Sequence, residues 1–351
     1  MKKWIMVSQK KLLLAPMATL STEALRRAVY RFGGCDEYYC EMIHASSLIA
    51  GGQWEKYYIM NGPEPQKMVW QLTDTEPKPL IKATSIVAEL GGIGVDINMG
   101  CPAPEIYRHG AGMAWMNKDL SQTSAMLEKI SGVMQNQKHG VYNKDAFCQR
   151  LSVKCRLGEE DFTENSFFAF IDMLISSGVT QIVLHPRTRK QKYSRPAKWE
   201  WVEKLALYCT EKYPSLHICI IGNGDISSPE AAMNALKTAP DADGIMLARY
   251  AVQKPWLFSQ IERNFSSDSE ENDKSVDLYE FTEQFLSDIE ECQPKEFWKT
   301  RTQRFFAYFC DNFSFGNFLK AKMLHAESHT EQLTILKEYF EKMGDERYIK
   351  V

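Results

Sequence analysis

The sequence holds nine cysteines but no CxxC pair, and its closest two are Cys35 and Cys40. Zinc sites and disulfide frameworks show paired spacings, so the pattern predicts reduced thiols, as in a cytosol. No segment approaches the ~18 apolar residues of a membrane span. The start, MKKWIMVSQKKLLL, is basic, but SQKK breaks its first apolar run, which makes a poor signal peptide. A cytoplasmic protein is expected. Neither sign of charge dominates. A net charge of −3 neither announces nor excludes a nucleic-acid partner, and any such contact needs a local basic patch. GxGxxG and GxxxxGK are both missing, so Rossmann and P-loop nucleotide sites have no support. There is no internal repeat beyond a strand–helix period.

The residues that are present read as one large fold with an appendage. A chain of 351 residues can form one large core, or a large domain with a small one. Its 44% hydrophobic and 25% charged content is that of an ordinary globular protein. Eight short apolar runs recur, each followed by Gly, Pro or polar residues and then a helix-like segment. They are KLLLAPM from Lys11, EYYCEMI from Glu37, KMVWQL from Lys67, VDINMG from Val95, LSVKCRLG from Leu151, QIVLHPRT from Gln181, HICIIGNG from His217 and GIMLARY from Gly244. Most lie about 30 residues apart, the length of a strand with its crossover helix. The longer gap before Leu151 holds a loop after Cys101, a helix expected from Asp119, and a polar, hairpin-like region. Eight such units predict an α/β fold, a (β/α)8 TIM barrel.

After PWLFSQIERNF the composition changes. SSDSEENDKSVD, residues 266–277, is acidic and polar, as a linker is. The remainder, to Val351, has helical periodicity and no strand signal. The expected organisation is a barrel over 1–262, a linker or loop over 263–277, and a small all-helical C-terminal domain over 278–351. Trp298, Phe305, Phe306, Tyr308 and Phe309 are expected to form the core of that domain.

Alternation along a strand sorts the polar residues. In the fourth run Val95, Ile97 and Met99 share one face, and Asp96 and Asn98 the other. In the fifth, Val153 and Cys155 oppose Lys154 and Arg156. In the sixth, Ile182 and Leu184 oppose His185 and Arg187. The apolar set should face the helices. The polar set should enter the barrel near its C-terminal mouth, where such barrels keep their active sites. Gln71, Asn98, Lys154 and His185 are therefore expected to converge. Cys101 stands between Gly100 and Pro102 where the fourth strand should stop. Such an edge, with controlled access, suits a reactive thiol better than a structural one. The last two strands run into IGNGDISSPEA and GIMLARYA. Turns at these positions commonly hold phosphate beside a helix N-terminus. Ser227 or Ser228 can cap a helix with Pro229 at its first position, and Arg249 can pair with phosphate oxygens. The two turns together predict a phosphorylated cofactor. Lys154 either holds negative charge on its ring or pairs with Asp96.

APMATLSTEALRRAVYRFGG, DINMGCPAPEIYRHGAG, KCRLG, LHPRTRKQKY, IGNGDI and GIMLARYAVQKPWLF, in this order and spacing, closely resemble the tRNA-dihydrouridine synthases. The resemblance runs from about Leu14 to Phe258, and the helical tail also fits. It implies an FMN-dependent TIM barrel with a C-terminal helical RNA-binding domain. The implied activity is reduction of the C5–C6 double bond of particular uridines in tRNA, with NADPH as the usual reductant. By motif position, Pro16, Met17 and Ala18 would lie against the isoalloxazine and Gln71 would hydrogen-bond it. Lys154 would stabilise the anionic reduced ring, and His185 would contact the flavin region. Asn223, Gly224 and Asp225, with Ala248 and Arg249, would form the phosphate end. Cys101 would be the general acid, and Asn98 would orient the target uracil. No metal, membrane or protein partner is implied, and a monomer is expected. The sequence departs from the family at Ala248-Arg249-Tyr250, where Gly-Arg-Gly or Gly-Arg-Ala is usual, so Tyr250 adds bulk at the rim. It departs again at AGMAWMNKDL, where Trp115 and Met116 would alter RNA entry.

On that resemblance, hydride passes from the reduced flavin to C6 and Cys101 protonates C5 from the opposite face. A general acid is protonated at rest, so no strong depression of the Cys101 pKa is expected. Gly100 permits an unusual turn, and Pro102 restricts Cys101 to an extended conformation. The target base must leave its stack. Candidate RNA contacts are Arg187, Arg189, Lys190, Lys192 and Arg195 beyond the sixth strand, and Lys295, Lys299, Arg301 and Arg304 in the tail. They should make RNA binding steeply salt dependent. His44 and His109 are candidate rim residues. The alternatives are the same chemistry on ribosomal RNA, an FMN-dependent oxidoreductase of a free pyrimidine similar to dihydroorotate dehydrogenases, and an RNA-binding barrel without catalysis. The basic tail weighs against the second. Cys101, Lys154 and His185 weigh against the third. No motif names the uridine position.

Overall fold

A computed structural model describes residues 10–136, 150–265 and 275–351. The hairpin-like region expected before Leu151, Cys148, the first nine residues and residues 266–274 of the polar segment lie outside the described residues.

Nine strands form one parallel sheet that closes on itself. They are β1 (Lys11–Leu14), β2 (Glu37–Tyr39), β3 (Ile43–His44), β4 (Met68–Thr73), β5 (Gly94–Met99), β6 (Arg150–Gly158), β7 (Gln181–Thr188), β8 (Cys219–Asn223) and β9 (Gly244–Leu247). β1 pairs with β9 on one side and β2 on the other, and β2 pairs with β4. The eight expected units are all present, and the circle is a TIM barrel. The second unit is split. Tyr38 and Tyr39 pair with Met68 and Val69, and Ile43 and His44 pair with Leu72 and Thr73. Between them Cys40, Glu41 and Met42 leave the ladder, which frees Glu41 to point away from the sheet's own pairing.

The alternation of side chains decides two cores. Val95, Ile97, Met99, Val153, Cys155, Ile182 and Leu184 pack outward with the surrounding helices. Leu13, Tyr39, Val69, Val183, Ile221 and Met246 fill the interior. Each fully buried aliphatic side chain contributes about 1.5–3 kcal/mol. The interior floor is ionic. Arg150 donates to both oxygens of buried Glu37 at 2.6 and 2.7 Å. Burial pushes the Glu37 carboxyl up, and the Arg150 hydrogen bonds overcome it and hold it below the ordinary value. This ion pair occupies the barrel floor, and the cavity among the described residues lies at the other end.

Asp119 starts the long helix Leu120–Asn136 by accepting from the amides of Ser121 and Gln122. Ser228 caps Pro229–Thr238, accepting from the Ala231 amide at 3.2 Å. Helix Leu257–Phe265 runs through the expected barrel boundary, so residues 263–265 are helix rather than linker. At the other end Ser275–Asp277 is a strand, β10, antiparallel to β11 (Tyr348–Lys350). Its weak local pattern is stabilised by a partner some 70 residues later, which sequence periodicity does not reveal. The C-terminal unit consists of helices Leu278–Cys292, Lys295–Phe309, Gly316–His325 and His329–Lys342, closed by this small sheet.

Phe281, Phe285, Phe305 and Phe309 form the centre of the C-terminal unit, with Phe285 and Phe305 ring centroids 3.9 Å apart. Its core continues into the barrel's outer layer, where Phe32 and Trp256 meet Phe281. Ion pairs flank the contact: Arg27 with Glu291 at 2.8 Å and Arg31 with Asp288 at 2.6 Å. No helix among the described residues is long and apolar enough to cross a membrane.

Candidate active site

A cavity of about 280 Å3 opens at the C-terminal end of the barrel. Pro16, Met17 and Ala18 line it after β1, and Gln71 from β4. Asn98 and Cys101 come from the end of β5, Lys154 from β6, and His185 and Arg187 from β7. Asn223, Gly224 and Asp225 follow β8, and Ala248 and Arg249 follow β9. The residues expected to hold the flavin, act as the acid and contact the substrate all border this one cavity.

A chain of side-chain bonds crosses the barrel beneath the cavity. Ser152 Oγ donates to Asp96 Oδ1 at 2.7 Å, and Gln71 Nε2 donates to Asp96 Oδ2 at 2.8 Å. Asn98 Nδ2 donates to Gln71 Oε1 at 2.9 Å and to Met42 Sδ at 3.3 Å. Asn98 Oδ1 accepts from the amides of Gly100 and Cys101 at 3.2 and 3.0 Å. Both amide hydrogens and both acceptor sites of Asn98 are therefore engaged within the protein. Asn98 also borders the cavity. A strand-terminal Asn satisfies the next turn's amides, and here that turn carries Cys101. Gln71 keeps one N–H and one lone pair, and faces the cavity.

Burial pushes the Asp96 carboxyl up to about 6 against its hydrogen bonds from Gln71 and Ser152. No hydrogen bond or short ion pair joins Lys154 to Asp96 among the described residues, and Asp96 acts on the ammonium through its charge alone. The ammonium has no hydrogen-bond partner among the described residues. Burial, and then nearby Arg156, push its pKa down to about 8.

His185 is a neutral donor. A guanidinium only donates, and Arg187 Nη1 lies 2.9 Å from His185 Nε2, so that nitrogen accepts and Nδ1 carries the proton. Burial pushes its pKa well down, and the cations Arg156, Lys154, Arg187 and Arg249 add to the shift. Arg187 itself is only 1% exposed. It also donates to Asp225 Oδ2 at 2.5 Å and to the Arg195 carbonyl at 2.6 Å. It forms part of the cavity wall. The cause is Asp225, which sits in the left-handed region at φ +61, lies 3.8 Å from Arg249, and draws both arginines to itself. Beside it Gly224 has φ +132, and a Cβ there would meet Ala197 Cβ at 2.9 Å.

Seven of the eight described cysteines are buried; Cys101 is not, and it borders the cavity. Partial burial pushes its pKa up, so it is a thiol at neutral pH. Its loop is held on both sides, since the Met113 amide donates to its carbonyl at 3.1 Å.

Other expectations are corrected by the packing. Trp115 is fully buried, with Nε1 donating to the Asp74 carbonyl at 2.9 Å, so it lies beneath the loop and away from RNA entry. Met116 packs half-buried on the same core. Tyr308 packs half-buried against the core and also lines the cavity, as does Arg304. Arg301 is 4% exposed in an ion pair with Glu41, so it is no RNA contact. His44 and His109 are exposed and lie outside the lining. Arg189 pairs with Glu159, and Lys299 with Glu327. Tyr250 borders the cavity as expected. The sequence reading missed Tyr193, which stacks near His185 and lies 4.0 Å from the Arg249 guanidinium. It also missed Arg156 as a lining residue, although strand alternation had put Arg156 on the inward face.

The profile of the dihydrouridine synthase (Dus) family matches residues 13–344. The chain belongs to this family. A protein of Rickettsia conorii named "Probable tRNA-dihydrouridine synthase" is 31% identical over 267 residues, covering 76% of this chain and 73% of that one. A mouse protein named tRNA-dihydrouridine(47) synthase, NAD(P)(+)-like, is 30% identical over 273 residues, 78% of this chain. This chain spans only 39% of the mouse relative's length. Among solved structures, a 2-naphthoyl-CoA reductase with 2-naphthoyl-CoA superposes with a TM-score of 0.51 at 11% identity, over 72% of this chain and 49% of that one. That likeness is one of fold. Membership of the dihydrouridine synthase family gives the barrel-mouth cavity its chemical context.

Proposed function

We propose that this protein reduces particular uridines of tRNA to 5,6-dihydrouridine, with FMN as its flavin and NADPH as the reductant. The observation that carries the reading is a solvent-reachable, protonated Cys101 on the same cavity as Lys154, a cation without a hydrogen-bond partner among the described residues. A free-pyrimidine oxidoreductase would leave the tail residues Arg304 and Tyr308 at the cavity edge without a task. The names of the two relatives support tRNA over ribosomal RNA.

The donor set suits FMN. Lys154 would offer charge to the reduced ring and Gln71 its spare N–H, with Pro16, Met17 and Ala18 lining the same cavity. Arg249, with the tight glycine turn at Gly224 beside it, would suit the phosphate. When bound and reduced, FMN supplies the hydride to C6 of the uracil. Cys101 Sγ then gives its proton to C5, with Asn98 holding the Cys101 backbone in place. The neutral His185 borders the cavity without adding a positive charge. Arg304, exposed and without a polar partner among the described residues, is placed to take a phosphate of the RNA. The helices of 278–351 act as the RNA-binding domain, and the barrel is the catalytic one.

The test is to map dihydrouridine at nucleotide resolution in all RNA from cells with and without the gene. Loss at one or two tRNA positions is the expected result, and it names the positions. Loss only in ribosomal RNA replaces the substrate. No loss, with redundant enzymes removed, overturns the proposal.

A further inference from the structure

The loop that follows β1 carries a strained residue. Thr19 has φ +68, and a β-branched residue rarely adopts the left-handed region. Such a conformation costs on the order of 1–3 kcal/mol and persists only when its surroundings impose it. Pro16, Met17, Ala18 and Leu20 around it all line the cavity. Within the loop, Ser21 Oγ accepts from the Met17 amide at 2.8 Å, and the Met17 carbonyl accepts from the amides of Leu20 and Ser21. The Thr19 amide has an external partner. It donates to Glu41 Oε1 at 2.6 Å.

Glu41 comes from the stretch that leaves the ladder between β2 and β3. Its other partner belongs to the C-terminal helical unit: Arg301 Nη1 donates to the same oxygen at 3.1 Å. Both side chains are 4% exposed. Arg301 is fixed in turn by Gln293 Oε1 at 3.1 Å and by the ring of Phe297. A buried carboxylate without a cation would be costly; burial pushes the Glu41 carboxyl up, and Arg301 of the other unit is the largest influence opposing that shift, ahead of the Thr19 amide and Arg26. We propose that Arg301 and Glu41 are positioning residues for the cofactor wall, making the helical unit part of the frame of the flavin site as well as a handle for RNA. This inference rests on the FMN reading above.

The test uses the full chain. The double variant Glu41→Leu/Arg301→Met removes both charges together and leaves neither buried alone, a replacement that is often neutral for stability. It leaves the Thr19 amide without its acceptor. Glu41→Gln keeps an acceptor. Glu291→Ala breaks a different barrel–tail ion pair, with Arg27, and leaves the loop alone. FMN titration of each apoprotein gives a Kd. Hydrogen–deuterium exchange of the peptide over residues 15–21 reports the loop itself. The double variant should weaken FMN binding about tenfold and speed exchange, whereas Glu41→Gln and Glu291→Ala should stay within about threefold of the wild type. Calorimetry confirms that each variant is folded at the titration temperature. A double variant with wild-type FMN affinity and exchange overturns the inference, as does an equal loss in Glu291→Ala, which would mean that general docking is responsible. If the wild type takes no FMN, the flavin reading fails, and loop exchange alone still decides whether the pair holds the loop.

Discussion

Asn98 holds the backbone of Cys101: its Oδ1 accepts the Cys101 amide at 3.0 Å and the Gly100 amide at 3.2 Å. The same side chain is tied through Gln71 to Asp96 and Ser152. The acid's position is therefore set by the barrel interior. Asn98→Ala should lower uridine reduction by about 10²-fold through misplacement of the thiol, with FMN affinity little changed. Single-turnover reduction at saturating tRNA measures it, and an unchanged rate refutes the positioning role.

Cys101→Ala should keep reduction of the flavin by NADPH, because no proton from this thiol enters that half-reaction. Uridine reduction should fall about 10²–10⁴-fold, the usual contribution of a general acid. Rapid mixing separates the halves. Uridine reduction at the normal rate would remove Cys101 from the mechanism.

Lys154 makes stability depend on pH. Its folded pKa, about 8, lies below the ordinary 10.5. Between these values the unfolded chain binds more protons, so the apoprotein's stability should rise with pH through that window. Lys154→Met should raise the apoprotein Tm at pH 7 and abolish that rise. The charge itself is present below about pH 8 and lost above it, so binding of an anionic ligand should weaken as pH increases past 8. Calorimetry and ligand titration across pH check the two halves.

Arg304 and Arg301 lie on one helix and should behave differently. Arg304→Ala should weaken tRNA binding and reduce the salt slope by about 1, as loss of one phosphate contact does. Arg301→Met strands Glu41 and should cost about 3–5 kcal/mol of stability. Filter binding over a salt series and thermal unfolding distinguish them. A reduced salt slope in folded Arg301→Met would restore it as an RNA contact.

Gly112 should matter although it carries no chemistry. Its φ is +59, and a Cβ would lie 2.8 Å from the Cys101 carbonyl oxygen and 3.1 Å from Cys101 Cβ. Gly112→Ala should displace the thiol, reduce uridine reduction and spare flavin reduction. Equal loss in both half-reactions would point instead to general unfolding.

The barrel was legible because a strand's period of two is written directly in the chain. VDINM and LSVKCR alternate, and the structure sends Val95 and Ile97 outward and Asp96, Asn98 and Lys154 inward. The cavity lining came with it, because strand ends in this fold share one mouth. Contacts were less legible. Nothing local distinguishes Arg301, a buried ion pair, from Arg304, an exposed cation, three positions away on the same helix. The burial of Trp115 was illegible for the same reason, since burial depends on which neighbouring element covers a residue.

The strand–helix repeat, the inward polar set and the place of Cys101 at a strand end are properties of the chain alone. They depend on periods and turns, which are local. Three other features exist only once the chain has folded: Asn98 is spent on the Cys101 loop, Asp225 turns Arg187 into a wall residue, and Arg301 reaches Glu41 across 260 positions of chain. Hydrogen bonds are satisfied by whatever folding brings within about 3 Å, and that proximity is a property of the closed barrel with its helical unit docked.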